Sequence, residues 1–409
     1  MSESRTHVSC ERSYDVSADS LWGLLSDFYS DWHPAMRFCE QEAPGIRRFG
    51  VLGEKAIYRE RLEHHDDERR CYTYTLLEGV SGLSSYEAQV RVEALAPKRA
   101  KASWSVDIEA IPERTAAIAR GSKAVFVMGL EALDRSLSQL PIQSILLNET
   151  SPSLGLDLAG DMTGEGPLCL FLHGIGGHRA NWERQLLHLR KDYRCVALDV
   201  RGYGDSAEAE LSPALVAEDI LRVMGHFQAE RVHLIGLSFG SWLAACFAHL
   251  HPERLASLVC SAGSTGMGEA SAAEIARFAA LRLDPIRAGR RPSDIADEVV
   301  ARLAGPNSSL TSREAMRLSM ASLSRSAYLR ALECFIAPPF RVAFEDFAFP
   351  CLFVAGEHDT LAPPAEMRAV SERIAGARFV GIAGAGHLIN LEASEAYNRC
   401  LADFFADIA

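Results

Sequence analysis

The stretch RVHLIGLSFGSWL, residues 231–243, decides the fold of the larger part of this chain. Its first half is a short apolar strand. The strand stops at Gly236-Leu237-Ser238-Phe239-Gly240 and continues at once as an amphipathic helix, GSWLAACFAHLHPERL (240–255). A G-x-S-x-G turn between strand and helix is a nucleophile elbow. Its physics is steric: the serine occupies a tight, strained turn, so the residues two positions away must lack bulk. The turn lifts the Ser238 hydroxyl above the sheet, at the positive end of the following helix.

Working outward, the same rhythm recurs from Ile145 onward. LCLFLHG (168–174), YRCVALDV (193–200), LASLVCSAG (255–263), CLFVAGEHD (351–359) and ARFVGIAG (377–384) are near-continuous runs of Val, Leu, Ile, Cys and Ala, as in parallel strands buried on both faces. Helical patterns separate them: RANWERQLLHLRKD, SPALVAEDILRVMGHFQ and the helix after Ser238. This implies an α/β architecture with a mostly parallel, doubly wound sheet. QSILLNET (143–150) and LGLDLAG (154–160) read as an antiparallel opening pair at its edge. Residues 268–335 hold helical segments and no strand, which implies a helical cap over the carboxyl edge of the sheet.

Four features accompany the elbow. LCLFLHG runs into His173-Gly174-Ile175-Gly176-Gly177, where glycines let backbone N–H groups turn toward a developing oxyanion. The expected donors are the amides of Ile175 and Phe239, and His173 reads as a structural residue of this loop. CLFVAGEHD ends a buried strand in Asp359, further past the strand end than Glu357 or His358. ARFVGIAGAGHLINLE puts His387 in a Gly-rich loop after the final strand. The order Ser238, Asp359, His387 is the one this arrangement imposes. Together these residues read as nucleophile, orienting acid and general base, with no cofactor and no metal called for. Asp199 to Ser206 (DVRGYGDS) reads as a structural turn, and His64-His65-Asp66-Asp67 as a solvated turn rather than a metal site.

The first 137 residues alternate differently. IYRERLEHHD, RRCYTYTLLEG, SSYEAQVRVEAL and AKASWSVDIEAI are strand-length runs rich in Tyr, Val, Ile and Trp, separated by turn clusters. SADSLWGLLSDF (17–28) and TAAIARGSKAVFVMGLEALDRSL (115–137) are helical and flank them. This is an α+β domain, and a curved sheet gripping a helix implies an apolar cavity between the two. Trp22, Phe28, Trp32, His33 and Trp104 are candidates for its lining, with plain core packing as the alternative. The expected division is 1–137 and 145–409, with a short linker around Pro141.

The 409 residues carry a net charge of −12, which argues against a nucleic-acid-binding surface. No stretch reaches the roughly 18–20 apolar residues of a membrane span, and no secretory signal is visible. The ten cysteines include no CxxC pair, and several lie in apolar runs. They read as reduced thiols packed as small hydrophobes, which implies a cytoplasmic protein.

HGIGG, DVRGYGDS, GLSFGS, GEHD and GAGHLINLE resemble the α/β-hydrolase superfamily, and within it the branch of enol-lactonases, carboxylesterases and carbon–carbon bond hydrolases. A serine at the elbow separates the chain from the epoxide hydrolases and haloalkane dehalogenases, whose resemblance would imply aspartate there. SADSLWGLLSDFYSDWHPAM, IYRERLEHHDDERRCYTYTLLEG and ASWSVDIEA resemble the START/polyketide-cyclase-like (SRPBCC) helix-grip superfamily, which implies an apolar small-molecule ligand. The expected function is hydrolysis of a carboxylic ester or lactone through an acyl-enzyme. Two alternatives stay open: a carbon–carbon bond hydrolase of ring-cleavage-type diketones, and a ligand-binding protein with a slow or vestigial triad. Arg277, Arg282, Arg287, Arg290 and Arg291 make the cap locally basic, suiting either a carboxylate-bearing substrate or a solvated helix face.

Overall fold

The computed structural model describes residues 4–51, 56–137, 142–147, 157–337 and 340–408. The chain divides into two compact units, Met1–Pro141 and Ile142–Ala409.

The N-terminal unit runs β1 (Ser4–Tyr14), α1 (Ala18–Leu25), β2 (Met36–Ala43), β3 (Ile46–Val51), β4 (Ile57–Asp66), β5 (Cys71–Glu78), β6 (Leu83–Ala96), β7 (Arg99–Ala110) and α2 (Pro112–Leu137). Its strands form one antiparallel sheet in the order β1-β7-β6-β5-β4-β3-β2. In β7 every second residue, Ala100, Ala102, Trp104, Val106, Ile108 and Ala110, is buried. That period of two presents one apolar face to the helices. Ser17 caps α1 by accepting from the Ser20 amide, and Leu21, Trp22 and Leu25 of α1 join Phe126, Leu130 and Leu133 of α2 in the core. An antiparallel sheet wrapped on helices is the helix-grip arrangement.

The candidate lining residues of this unit pack on one another. Trp104 stacks on Phe126 with ring centroids 4.6 Å apart and donates from Nε1 to the Tyr74 hydroxyl at 2.9 Å. Trp32 touches both His33 and Trp104, and Phe28 touches Tyr72 and Tyr74. His33 donates from Nε2 to the Val125 carbonyl while its Nδ1 accepts from the Ala35 amide. Burial holds its pKa down to about 4, so the ring is neutral. On the sheet's inner face Arg47 and Glu60 form a buried ion pair, Nε to Oε2 at 2.8 Å. His65 hydrogen-bonds the Ser26 carbonyl and Asp67 accepts from Trp22 Nε1, so that stretch braces the end of α1.

The second unit continues with β8 (Gln143–Leu147), β9 (Leu158–Thr163), β10 (Leu168–Leu172), α3 (Glu183–Leu189), β11 (Arg194–Leu198), α4 (Pro213–His226), β12 (Val232–Leu237), α5 (Phe239–Leu250) and β13 (Leu255–Ser261). Next come α6 (Ala272–Phe278), α7 (Asp284–Arg287), α8 (Pro292–Leu303), α9 (Leu310–Ala321) and α10 (Arg325–Ile336), the helical cap inserted between β13 and β14. The chain returns through β14 (Cys351–Gly356), α11 (Pro364–Ser371), β15 (Arg378–Ile382), α12 (Ile389–Glu392) and α13 (Ser394–Ile408). The sheet order is β15-β14-β13-β12-β10-β11-β9-β8. β10 to β15 pair in parallel, while β9 pairs antiparallel with β11 and with β8 at the edge. Residues 148–156, between that edge pair, lie outside the described residues.

Both faces of this sheet are covered. On one face α4, α5 and the cap enclose Leu170, Val196 and Leu234. On the other α3 and α13 enclose Phe171, Ile235 and Val354. This two-sided burial is why the strands read as unbroken apolar runs. The winding changes direction between β10 and β12, and the crevice beyond their carboxyl ends is where such sheets place ligands. No helix among the described residues is long and apolar enough to cross a membrane.

Candidate active site

Ser238 sits between β12 and α5 with φ 54° and ψ −116°. A non-glycine residue with positive φ is strained by roughly 1–3 kcal/mol. The surroundings enforce it: the Ser238 amide donates to the Ser261 carbonyl at 2.7 Å, and its carbonyl accepts from Ser241 and Trp242. A side chain at Gly236 would strike the backbone of Gly240 and Ser241. One at Gly240 would strike the carbonyls of Leu172 and His173. The glycines are therefore required by close backbone approach, which seats the elbow directly against the end of β10.

His387 approaches from the loop after β15. Its Nε2 lies 2.8 Å from Ser238 Oγ, and its Nδ1 lies 2.8 Å from Asp359 Oδ2. An ionised carboxylate only accepts, so Nδ1 carries the proton. The Nε2 lone pair then faces the serine hydroxyl, which donates to it. The second carboxylate oxygen, Oδ1, accepts from the amides of Leu361 (2.9 Å) and Ala362 (3.0 Å). Asp359 is 4% and His387 5% exposed, so the chain of hydrogen bonds runs in a shielded environment. Glu357, two residues before Asp359, instead accepts from the Gly384 amide and stays at the surface.

The backbone at Gly174, just before Ile175, passes directly over the serine: a Cβ built there would lie 3.2 Å from Ser238 Cβ. The loop that carries Ile175 therefore lies against the serine, and Phe239 follows it directly as the first residue of α5. His173 fixes this loop. Its Nδ1–H donates to the Gly174 carbonyl at 3.0 Å and its Nε2 accepts from the Val200 amide at 3.1 Å. Burial pushes its pKa down to about 4, so it is a neutral strut and both nitrogens are engaged.

The DVRGYGDS segment is a turn held by its own charges. Arg201 binds Asp219 through two bonds of 2.5 and 2.9 Å, and Arg179 joins Asp161, Asp199 and Asp205. Among the cap arginines, Arg287, Arg290 and Arg291 pair with Glu333, Glu298 and Asp294. Arg282 donates from Nε and Nη2 to the buried Tyr328 hydroxyl. It does so from a single π-helical turn, Ala279–Leu283.

Two contacts brace the histidine loop beyond the triad itself. The His387 amide donates to the carbonyl of Leu303, the last residue of α8, at 2.8 Å. The Glu392 carboxylate accepts from the backbone on both sides of His387. The Leu303 carbonyl leaves no signal in the sequence, because backbone groups carry no residue identity, whereas Glu392 is the last residue of GAGHLINLE.

Residues 167–394 match the family described as alpha/beta hydrolase fold, and residues 5–138 match the family described as polyketide cyclase / dehydrase and lipid transport. The chain is 30% identical over 256 residues to the dihydrolipoyllysine-residue acetyltransferase component of the acetoin cleaving system of Pseudomonas putida. That match spans 60% of this chain and 65% of the relative. It is 29% identical over 232 residues to the pimeloyl-[acyl-carrier protein] methyl ester esterase of Aeromonas hydrophila, spanning 55% of this chain and 89% of that enzyme. Among solved structures, a thermophilic esterase from Thermogutta terrifontis superposes with a TM-score of 0.59 at 25% identity, covering 65% of this chain and 99% of that one.

Proposed function

Given that the chain belongs to the α/β hydrolase fold family and is a hydrolase, we propose that it cleaves a carboxylic ester or lactone through an acyl-enzyme on Ser238. The observation that carries this reading is the unbroken series Ser238 Oγ, His387 Nε2, His387 Nδ1, Asp359 Oδ2, with both links at 2.8 Å. His387 takes the hydroxyl proton as Ser238 attacks the carbonyl carbon, and Asp359 stabilises the resulting imidazolium. The tetrahedral oxyanion is received by the amides of Ile175 and Phe239, at the amino end of α5. His387 then returns the proton to the leaving alkoxide, and water repeats the sequence to release the acid. The esterases among the relatives support an acyl-transfer role for the same fold.

The N-terminal unit is proposed to bind an apolar small molecule, supported by its match to a family that includes lipid transport. The ten free thiols support a reducing, cytoplasmic location.

Ser238→Ala should lower ester turnover by roughly three to six orders of magnitude, and Asp359→Asn by roughly four, with the fold retained. The assay pairs chromogenic short-chain esters and lactones with intact-mass detection of a fluorophosphonate adduct on Ser238. Turnover of ring-cleavage diketones but not esters would move the reading to carbon–carbon hydrolysis. A chain that takes up no probe would leave a ligand-binding role.

A further inference from the structure

Glu392 closes α12, five residues beyond His387. Its Oε2 accepts from the Gly386 amide at 3.1 Å and from the Gly305 amide at 2.6 Å, and its Oε1 accepts from the Leu388 amide at 3.0 Å. The N–H groups immediately before and after His387 therefore both end on one carboxylate. The N–H of His387 itself ends on Leu303. Three consecutive amides, 386 to 388, are committed to fixed acceptors, so the backbone beneath the imidazole has no slack. The third amide on Glu392, that of Gly305, belongs to the segment by which the cap leaves α8.

We propose that Glu392 is a positioning residue that holds His387 in line with Ser238 and locks the histidine loop to the stem of the cap. The proposal rests on His387 being the base of the reaction above.

The contacts around Glu392 favour this role over that of a surface charge. No Lys or Arg pairs with Glu392 among the described residues; only backbone N–H groups compensate its charge. Bonds of that kind, to an ionised acceptor, are the stronger ones. The two backbones it joins are in direct contact. A Cβ at Gly305 would overlap Gly386, and a Cβ at Gly386 would overlap Leu303 and Gly305. Further ties extend the block into the cap: Ser312 Oγ of α9 donates to the Leu391 carbonyl at 2.9 Å, and Arg313 Nη2 to the Gly305 carbonyl at 3.1 Å. Helices α8 and α9 and the loop carrying His387 thus form one piece. Whether the imidazole meets the hydroxyl at 2.8 Å depends on where that piece sits. A misplacement of about 1 Å at such a contact lowers a rate by roughly a hundredfold.

The test uses Glu392→Gln and Glu392→Ala in the full chain. Gln keeps the volume and one accepting oxygen but turns an NH₂ toward an amide N–H. With p-nitrophenyl butyrate, Glu392→Gln should lower kcat roughly 10- to 100-fold while KM stays within about twofold, and Glu392→Ala should lower it further. The rate of fluorophosphonate labelling should fall by the same factor, because it reads the serine–histidine pair without deacylation. A lowered Tm with unchanged kcat below the transition would mean a structural role only and would overturn the proposal. Should both variants misfold, hydrogen exchange on the unmodified chain decides. Peptides 303–309 and 384–391 should open together, with Gly305, Gly386 and Leu388 agreeing within about threefold after correction for intrinsic rates. Rates roughly tenfold or more apart would sever the lock. An unmodified chain that accepts no fluorophosphonate would sink the acyl-enzyme reading instead, and the exchange experiment still judges the lock by itself.

Discussion

Acid should destabilise the hydrolase unit through His173, by an amount the geometry specifies. The ring is fully enclosed, donates to Gly174 and accepts from Val200, and burial holds its pKa near 4. In the unfolded chain the same imidazole titrates near 6.5. A histidine whose folded pKa is depressed contributes stability that is intact above the unfolded value and is lost as pH falls toward the folded one. Between those limits the unfolded chain binds the extra proton. At pH 5 the linkage difference for one such group is roughly 2 kcal/mol. The perturbation is His173→Asn, which cannot take up that proton. Stability of the unit would be read from the slowest-exchanging amides of β10 and β12 at pH 7 and pH 5. The variant should be less stable at pH 7, having lost a strut, yet should lose about 2 kcal/mol less than the parent on going to pH 5. His33 and His233, which are also depressed to about 4, are present in both proteins and cancel. Equal losses in parent and variant would refute the assignment of a neutral, buried His173. A direct reading comes from its ring carbon shift, which should not titrate between pH 7 and 5.

Two further outcomes follow from the packing. In native protein, Ellman's reagent should modify only Cys10 and Cys39, which are half-buried; the other eight thiols are buried, and a count above two before denaturant would contradict that packing. Removing one partner of the Arg47–Glu60 pair, as in Glu60→Gln or Arg47→Met, should cost the N-terminal unit about 3–5 kcal/mol by leaving a buried charge. The double variant should recover much of the loss, and singles within about 1 kcal/mol of the parent in calorimetry would contradict a tightly coupled pair.

The doubly wound half was legible because its chemistry is repetitive. Strands covered on both faces are mostly apolar: β10 and β14 carry no polar side chain, and β11 to β13 admit only Arg194, His233, Ser257 and Ser261. The helix-grip half was legible only where one face alternates, as in β6 and β7. β1 escaped notice because only Val8 and Tyr14 of its eleven residues are buried. β2 has no buried residue and is rich in charge, while the inner face of β3 carries the buried Arg47, a charge where a core residue is expected. Ser238, Asp359 and His387 could be nominated because glycines and strand ends mark the turns that carry them. Glu392 stood in view as the last residue of GAGHLINLE, but its contacts could not be read, since its partners are backbone amides. Likewise, nothing in the composition distinguished a ligand-facing Trp104 from one stacked on Phe126.

The wide sequence separation within the Ser238–His387 pair has a consequence in time. The two residues are 149 positions apart, and the histidine lies on the loop after the last strand of the sheet. At roughly 5–20 residues per second of synthesis, the serine leaves the peptidyl-transferase centre about 7–30 s before its base. Throughout that interval Ser238 lacks the imidazole that the folded structure sets 2.8 Å from its hydroxyl. On the proposed role of His387, a nascent chain should take up no serine probe until β15 has docked, so the appearance of probe-reactive serine would serve as a clock for completion of the sheet.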